Sequence, residues 1–161
     1  MTLTFAEAGE QDIPDLTRVM TRAFDDESRT YRGLDKGGPE GYDNGDFFRQ
    51  WMLGYDETTG YTILLDGEVV GGLIVWIIPG GHNHLGVIFV DPAVQDRGIG
   101  TQAWQFVERT YPGAKSWRLE TPAWSLKNHA FYERKCGFTK IDETDSPDGV
   151  MFVYRKIIHP D

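Results

Sequence analysis

The chain has 161 residues, 40% of them hydrophobic, with a formal net charge of −9 and a pI near 4.8. That length builds one ordinary core and is too short for two well-buried domains, so residues 1–161 are expected to form a single domain. An acidic surface repels nucleic-acid phosphates and favours cationic partners; the longest apolar run, Gly71 to Pro79, is well short of the ~20 residues that span a bilayer, and the N-terminus lacks a basic segment followed by an apolar one, so a cytoplasmic protein without membrane contact is expected.

Thr2 to Glu7 alternates as a short first strand, and Asp12 stands before a helix in which Ile13, Leu16, Met20, Ala23 and Phe24 recur at helical spacing. From Asp25 to Gly45 the periodicity stops. Six of these 21 residues are acidic and five are glycine, the composition of a long loop, and loops of that length usually serve a function. Asp46 can cap a short helix that carries Phe47, Phe48, Trp51 and Met52 and ends at Gly54. Apolar runs on either side of Asp66-Gly67 predict an antiparallel hairpin over 61–78. Pro79-Gly80-Gly81 turns the chain into a strand at 85–90, closed by Asp91-Pro92, and a helix follows from about Gly98 to Arg109. That crossover helix places the next strand, 116–121, parallel to its predecessor. Ser125 caps a helix from Leu126 to Cys136, with Gly137 in the left-handed closing position. Two last strands, 138–143 and 150–158, flank Ser146-Pro147-Asp148-Gly149 and offer an edge to a homodimer.

Gln95-Asp96-Arg97-Gly98-Ile99-Gly100 lies between a strand and a helix and points backbone N–H groups at whatever anion approaches. The segment from Gly98 also fits the G-x-G-x-x-A of a dinucleotide fold, with Glu120 about twenty residues on. Seven residues separate Val90 from that first glycine, the preceding strand belongs to an antiparallel meander, and only 61 residues follow Gly100. Context and room both reject the dinucleotide fold. The remaining reading is a longer loop that wraps a pyrophosphate.

Val90-Asp91-Pro92, then Gln95-x-x-Gly98-x-Gly100, then Asn128-x-Ala130-Phe131-Tyr132-x-x-x-x-Gly137-Phe138 resembles the GNAT superfamily of acyl-CoA-dependent N-acyltransferases. The resemblance implies a single α/β domain with a mixed, mostly antiparallel sheet of about six or seven strands, splayed at its central parallel pair and flanked by about four helices on both faces. It implies acetyl-CoA as co-substrate. Backbone groups of Phe89 and Val90 would pair with the pantetheine arm, the N–H groups of Gln95, Asp96, Arg97, Gly98, Ile99, Gly100 and Thr101 would hold the pyrophosphate, and Asn128 would hydrogen-bond the arm.

Asn128 and Tyr132 are four apart, one helical turn, which lets one position the cofactor while the other addresses its sulfur. Acyl transfer to an amine expels a thiolate, and a phenol with a pKa of ~10 can supply the proton, so Tyr132 is the expected general acid. The acceptor amine must itself lose a proton. The strand 85–90 holds no carboxylate, and Glu120, at the end of the parallel strand, is the expected base. His82 and His84 lie in what reads as an exposed polar turn, and His129 as an outward-facing helix residue. Cys136 is the only cysteine, which excludes an internal disulfide and a cysteine metal cluster; no metal is expected, and Cys136 reads as a packing residue. Asp25, Asp26, Glu27 and Tyr31 of the long loop are the candidates for holding the acceptor. Together these features indicate acetylation of a small cationic amine such as a polyamine or amino sugar, with a peptide N-terminus or lysine as the alternative acceptor and a non-catalytic acyl-CoA-binding module as the rival class.

Overall fold

Asp66 and Gly67 both take positive φ, 51° and 86°, in the computed structural model of the chain, which describes residues 2–160. A two-residue turn of this kind matches strand twist, so β2 (Thr58–Leu65) and β3 (Glu68–Trp76) pair antiparallel as the hairpin expected from the sequence. With β1 (Leu3–Glu7), β4 (His82–Val90), β5 (Ser116–Pro122), β6 (Thr139–Ser146) and β7 (Gly149–Ile157), the described residues form one seven-stranded sheet in the order β1-β2-β3-β4-β5-β7-β6. Each neighbouring pair is antiparallel except β4 and β5, the pair joined through a helix. The mixed α/β architecture agrees with the expectation.

Helices cover both faces. On one, Leu16, Val19 and Met20 of α1 (Ile13–Arg32) and Phe47 and Phe48 of α2 (Asp46–Trp51) pack on Ile74 and Phe89. On the other, Ile99, Ala103, Trp104 and Val107 of α3 (Ile99–Thr110) pack on Leu73, Val75, Leu85, Trp117 and Leu119, while α4 (Leu126–Ala130) lies beyond β5. Burial on both sides explains why β2 and β3 read as near-continuous apolar runs. Trp104 and Trp117, each 1% exposed, meet edge to face at 5.4 Å, and truncating either costs about 3–5 kcal/mol.

The structure corrects the sequence reading at several elements. α1 continues to Arg32, so Asp25, Asp26, Glu27 and Tyr31 lie on its last two turns and the loop is 33–45. Its apolar stripe fades because this end packs on the loop and not on the sheet. The Ser28 hydroxyl donates to the Gly37 carbonyl at 2.8 Å, and Arg29 and Arg32 suit the negative end of the helix dipole. Gly33, at φ 65°, ends the helix. β4 starts at His82, not at 85, so His82 and His84 belong to a strand. Gly45, not Asp46, is the N-cap of α2, and Ser125 precedes α4 without a side-chain cap bond. The predicted helix 126–136 is α4 followed by a π-helical turn, Phe131–Lys135, in which the Cys136 N–H donates to the Phe131 carbonyl at 3.2 Å. His129 faces inward, because β7 covers the side that periodicity leaves open: its ring stacks on Phe152 at 4.7 Å and Nε2 lies 2.9 Å from the Pro122 carbonyl.

Candidate active site

β4 and β5 pair only through His82–Ser116, Asn83–Trp117 and His84–Arg118. Just beyond, Val75 of β3 opposes Leu85 while Ile74 opposes Val87, leaving Gly86 as an extra residue. Such a bulge bends its strand. Residues 87–90 diverge from β5, and their β5-facing backbone groups have no strand partner there. A splay was expected from the family resemblance; the bulge is its physical cause.

A cleft of about 400 Å³ lies along the diverging strand. Its walls are Ile88, Phe89 and Val90 of β4, Gln95, Asp96 and Gly98 of the loop, Ile99, Gly100 and Thr101 at the start of α3, and Asn128, Phe131 and Tyr132. Arg97, expected with this group, is exposed and does not line the cleft. Asp96 and Gly98 take left-handed φ of 64° and 76°, which turns successive N–H groups toward one side, and no side chain caps α3. Its first N–H groups therefore stay available, with the positive end of the helix dipole behind them. A Cβ on Gly100 would stand 3.2 Å from the Phe131 ring, so a larger residue there fits only if that ring gives by a few tenths of an ångström. Lys127 and Lys135 add positive charge to the wall. The Lys127 ammonium donates to Gln95 Oε1 at 2.7 Å and lies 3.8 Å from the Asp96 carboxylate, tying the loop to α4. These features fit a pyrophosphate at the loop and an extended arm along β4.

Asn128 Nδ2 donates to Thr121 Oγ1 at 3.2 Å, which fixes its amide at the cleft wall. Tyr132 is buried among Phe131, Phe138 and Tyr154. Burial above all, then Cys136 and Glu27, holds its pKa well above the ordinary phenol value assumed from sequence. Glu27 reaches the same cleft from α1, and its pKa is pushed up to about 7 by burial, with Lys127 opposing and Asp26 adding.

Trp117, Leu119 and Thr121 alternate along β5 toward the buried face, so Arg118 and Glu120 project from the opposite one. There a second cleft, of about 390 Å³, is lined by Trp76, His84, Leu85, Gly86, Arg118, Leu119, Glu120 and Met151. Burial, then Arg118, lowers the His84 pKa from its ordinary 6.5, and Glu120 opposes them. His84 is thus largely neutral at neutral pH. None of the four acceptor candidates lines this cleft. Asp25 accepts from the Tyr42 hydroxyl at 2.7 Å and from the Gly37 N–H at 3.1 Å, and Tyr31 lies against Trp124 with ring centroids 6.3 Å apart. Sequence reasoning missed Trp76, took Arg118 only as a neighbour able to pair with Glu120, and undervalued His84; the alternation His82-Asn83-His84-Leu85 was the available signal for a longer strand. Among the described residues no group of three or more His, Cys, Asp or Glu is placed to hold a metal, and no helix is long and apolar enough to cross a membrane.

Known proteins are similar to this chain in sequence or in fold. The chain is 34% identical over 132 residues to the uncharacterized protein YrkN of Bacillus subtilis (strain 168), covering 81% of this chain and 70% of that one. An acetyltransferase from Thermus thermophilus superposes with a TM-score of 0.75 over 98% of both chains at 19% identity. The ribosomal-protein-S18-alanine N-acetyltransferase from Escherichia coli gives 0.75 over 99% of this chain and 96% of its own at 17% identity. The aminoglycoside acetyltransferase AAC(6')-Ib in complex with coenzyme A gives 0.69 over 97% and 95% at 18% identity. At such identities the structural likeness is one of fold. The acetyltransferase (GNAT) family model matches residues 20–138, most of the chain including both signature segments, and the protein belongs to that family of acyltransferases.

Proposed function

We propose that the protein transfers the acetyl group of acetyl-CoA to the primary amine of a small molecule by direct attack. The observation that carries this reading is the gap beyond His84–Arg118, with the phosphate loop and Tyr132 on one side and Glu120 on the other. Two reactants brought to such a gap from opposite faces gain about 7–11 kcal/mol from proximity when their reacting atoms align. The diverging edge of β4 supplies backbone N–H groups to hold the arm and polarise the thioester carbonyl.

The amine arrives as an ammonium with a pKa of ~10, and Glu120 accepts its proton. The nitrogen lone pair then attacks the carbonyl carbon, and the carbon–sulfur bond breaks as the carbonyl re-forms. Tyr132 donates to the departing sulfur, and the second proton of the attacking nitrogen, released as the amide forms, returns the tyrosine to its neutral form. Held neutral by burial, its O–H serves first as a hydrogen-bond donor, and a full proton transfer has to overcome the cost of a buried phenolate. Cys136 offers no covalent route: it is 3% exposed, its thiol is pushed up to about 12 by burial, and it lines neither cleft.

A cleft of about 390 Å³ suits a small acceptor better than a folded polypeptide. Thiol release from acetyl-CoA, measured with amines and with peptides bearing free N-termini or lysines, tests the proposal. Saturable release with small amines is expected. Faster release with peptides would reassign the acceptor, and binding of coenzyme A without release on any amine would leave only an acyl-CoA-binding module.

A further inference from the structure

Trp76, His84, Arg118 and Arg155 stand in one row across β3, β4, β5 and β7, each the register partner of the next. Directly opposed residues share a face of the sheet, so this row rises from the face that bears Glu120. It places two arginines on adjacent strands at opposed positions, with a histidine next to them, in a chain of net charge −9. Acidic partners are found for other cations: Arg22 meets Asp91 at 3.1 Å and Lys156 meets Glu108 at 3.0 Å. Among the described residues, neither Arg118 nor Arg155 has an ion pair or a side-chain hydrogen bond. Opposed like charges destabilise a sheet. An anion between them removes that repulsion, and the guanidinium fork matches a carboxylate in two parallel hydrogen bonds.

Glu120 is two residues from Arg118 on the same side of β5, about 6.6–6.8 Å along the strand. In Glu120 and Arg118 one small cleft thus presents a site for a cation and a site for an anion a few ångströms apart, while Arg155 stands next to Arg118 in the row, outside the cleft lining. Its third side is apolar: Trp76 has Tyr55 at 4.7 Å and Trp51 at 6.3 Å, and Met151 closes the end. We infer that the acceptor is an amino carboxylate, with its amine at Glu120, its carboxylate on Arg118 and Arg155, and an apolar or aromatic remainder against Trp76. This inference rests on the acetyl-transfer reading and narrows it. Polyamines and amino sugars bring only positive charge, which the arginine pair repels.

The test pairs phenylalanine, tryptophan and leucine with the amines that lack the carboxylate, phenethylamine, tryptamine and isoamylamine, and adds spermidine. Thiol release is followed for wild type, Arg118→Ala, Arg118→Lys and Arg155→Ala. Calorimetric binding of the same compounds is measured on the protein saturated with coenzyme A. At least one amino acid is expected to exceed its amine in kcat/KM by about tenfold, the worth of a partly exposed charge-assisted pair. Arg118→Ala should erase that ratio through KM more than kcat, and Arg118→Lys should restore part of it. Amines or spermidine that match the amino acids, a ratio unmoved in Arg118→Ala, or amino acids that neither bind nor react would overturn the inference. Turnover without a preference overturns it while the transferase reading stands. Arg118-dependent binding of an amino acid with no release on any compound supports it and removes the transferase reading.

Discussion

His84 and Arg118 form the last register pair between β4 and β5, and the guanidinium helps burial to strip the imidazole of its proton. Because Glu120 acts in the opposite direction, the three groups can be separated by titration. The His84 midpoint, followed by NMR of its ring protons, is expected below 6.5 in wild type, higher in Arg118→Ala and lower in Glu120→Gln. A midpoint that ignores both substitutions would show the groups to be uncoupled.

Tyr132→Phe removes one hydroxyl from a buried ring and leaves its packing on Phe138 and Tyr154 in place. Turnover should fall about a hundredfold, the lower end of general-acid contributions, while coenzyme A affinity measured by calorimetry stays near wild type. Unaltered turnover would assign the departing sulfur another donor.

Glu120→Gln deprives the ammonium of a proton acceptor. The rate deficit should be largest near neutral pH and narrow as the solution approaches the amine pKa of ~10, where free amine becomes abundant. A deficit constant across the pH–rate profile would give Glu120 a binding role only.

Glu27 loses its proton at about 7 in the folded chain against an ordinary 4.5. The folded state therefore binds more protons than the unfolded state between those values, so stability contributed by this group is full below the lower value and lost as pH rises through the upper one. Glu27→Gln cannot ionise. It should melt higher than wild type at about pH 8 and approach it at about pH 5. Parallel melting curves at both values would remove Glu27 from the pH dependence.

Gly98 holds φ 76° and a methyl group added to it would meet nothing within 4 Å, so Gly98→Ala costs only backbone strain. That is about 1–2 kcal/mol, or roughly 2–4 °C of Tm for each kcal/mol. If the loop relaxes to relieve it, KM for acetyl-CoA should rise with kcat retained, since Tyr132 and Glu120 are untouched. An unchanged KM would mean that these N–H groups do not set affinity.

Local chemistry made part of this molecule readable. Asp66-Gly67 could only be a tight turn, Gly137 adopts the left-handed φ of 82° that a helix end favours, and the loop at 95–100 sits where strand and helix signals meet. What escaped was governed by partners distant in sequence. Asp25 to Arg32 lacks an apolar stripe and is helical because the loop 33–45 and Trp124 cover it. His129 turns inward because Phe152, more than twenty residues later, offers a stacking surface. The acidic residues that read as an acceptor pocket are split between the cleft along β4, where Glu27 lies, and the bonds of Asp25 to its own loop. The cleft with Glu120 assembles instead from residues on four strands, a pattern that no local window contains.

Gly86 puts Leu85 and Val90, five apart, on the same side of the sheet, where regular alternation would separate them. Were β4 an unbroken pleat, Phe89 would swing out of the α1 core into the path of the cofactor, while Ile88 and Val90 would leave the cleft wall for α1. Deleting Gly86 would preserve those sides but straighten the strand, letting it zip onto β5 past Arg118. The product would be a tidier sheet with no gap through which two substrates could meet, so the opening between β4 and β5 is held by a single irregular residue.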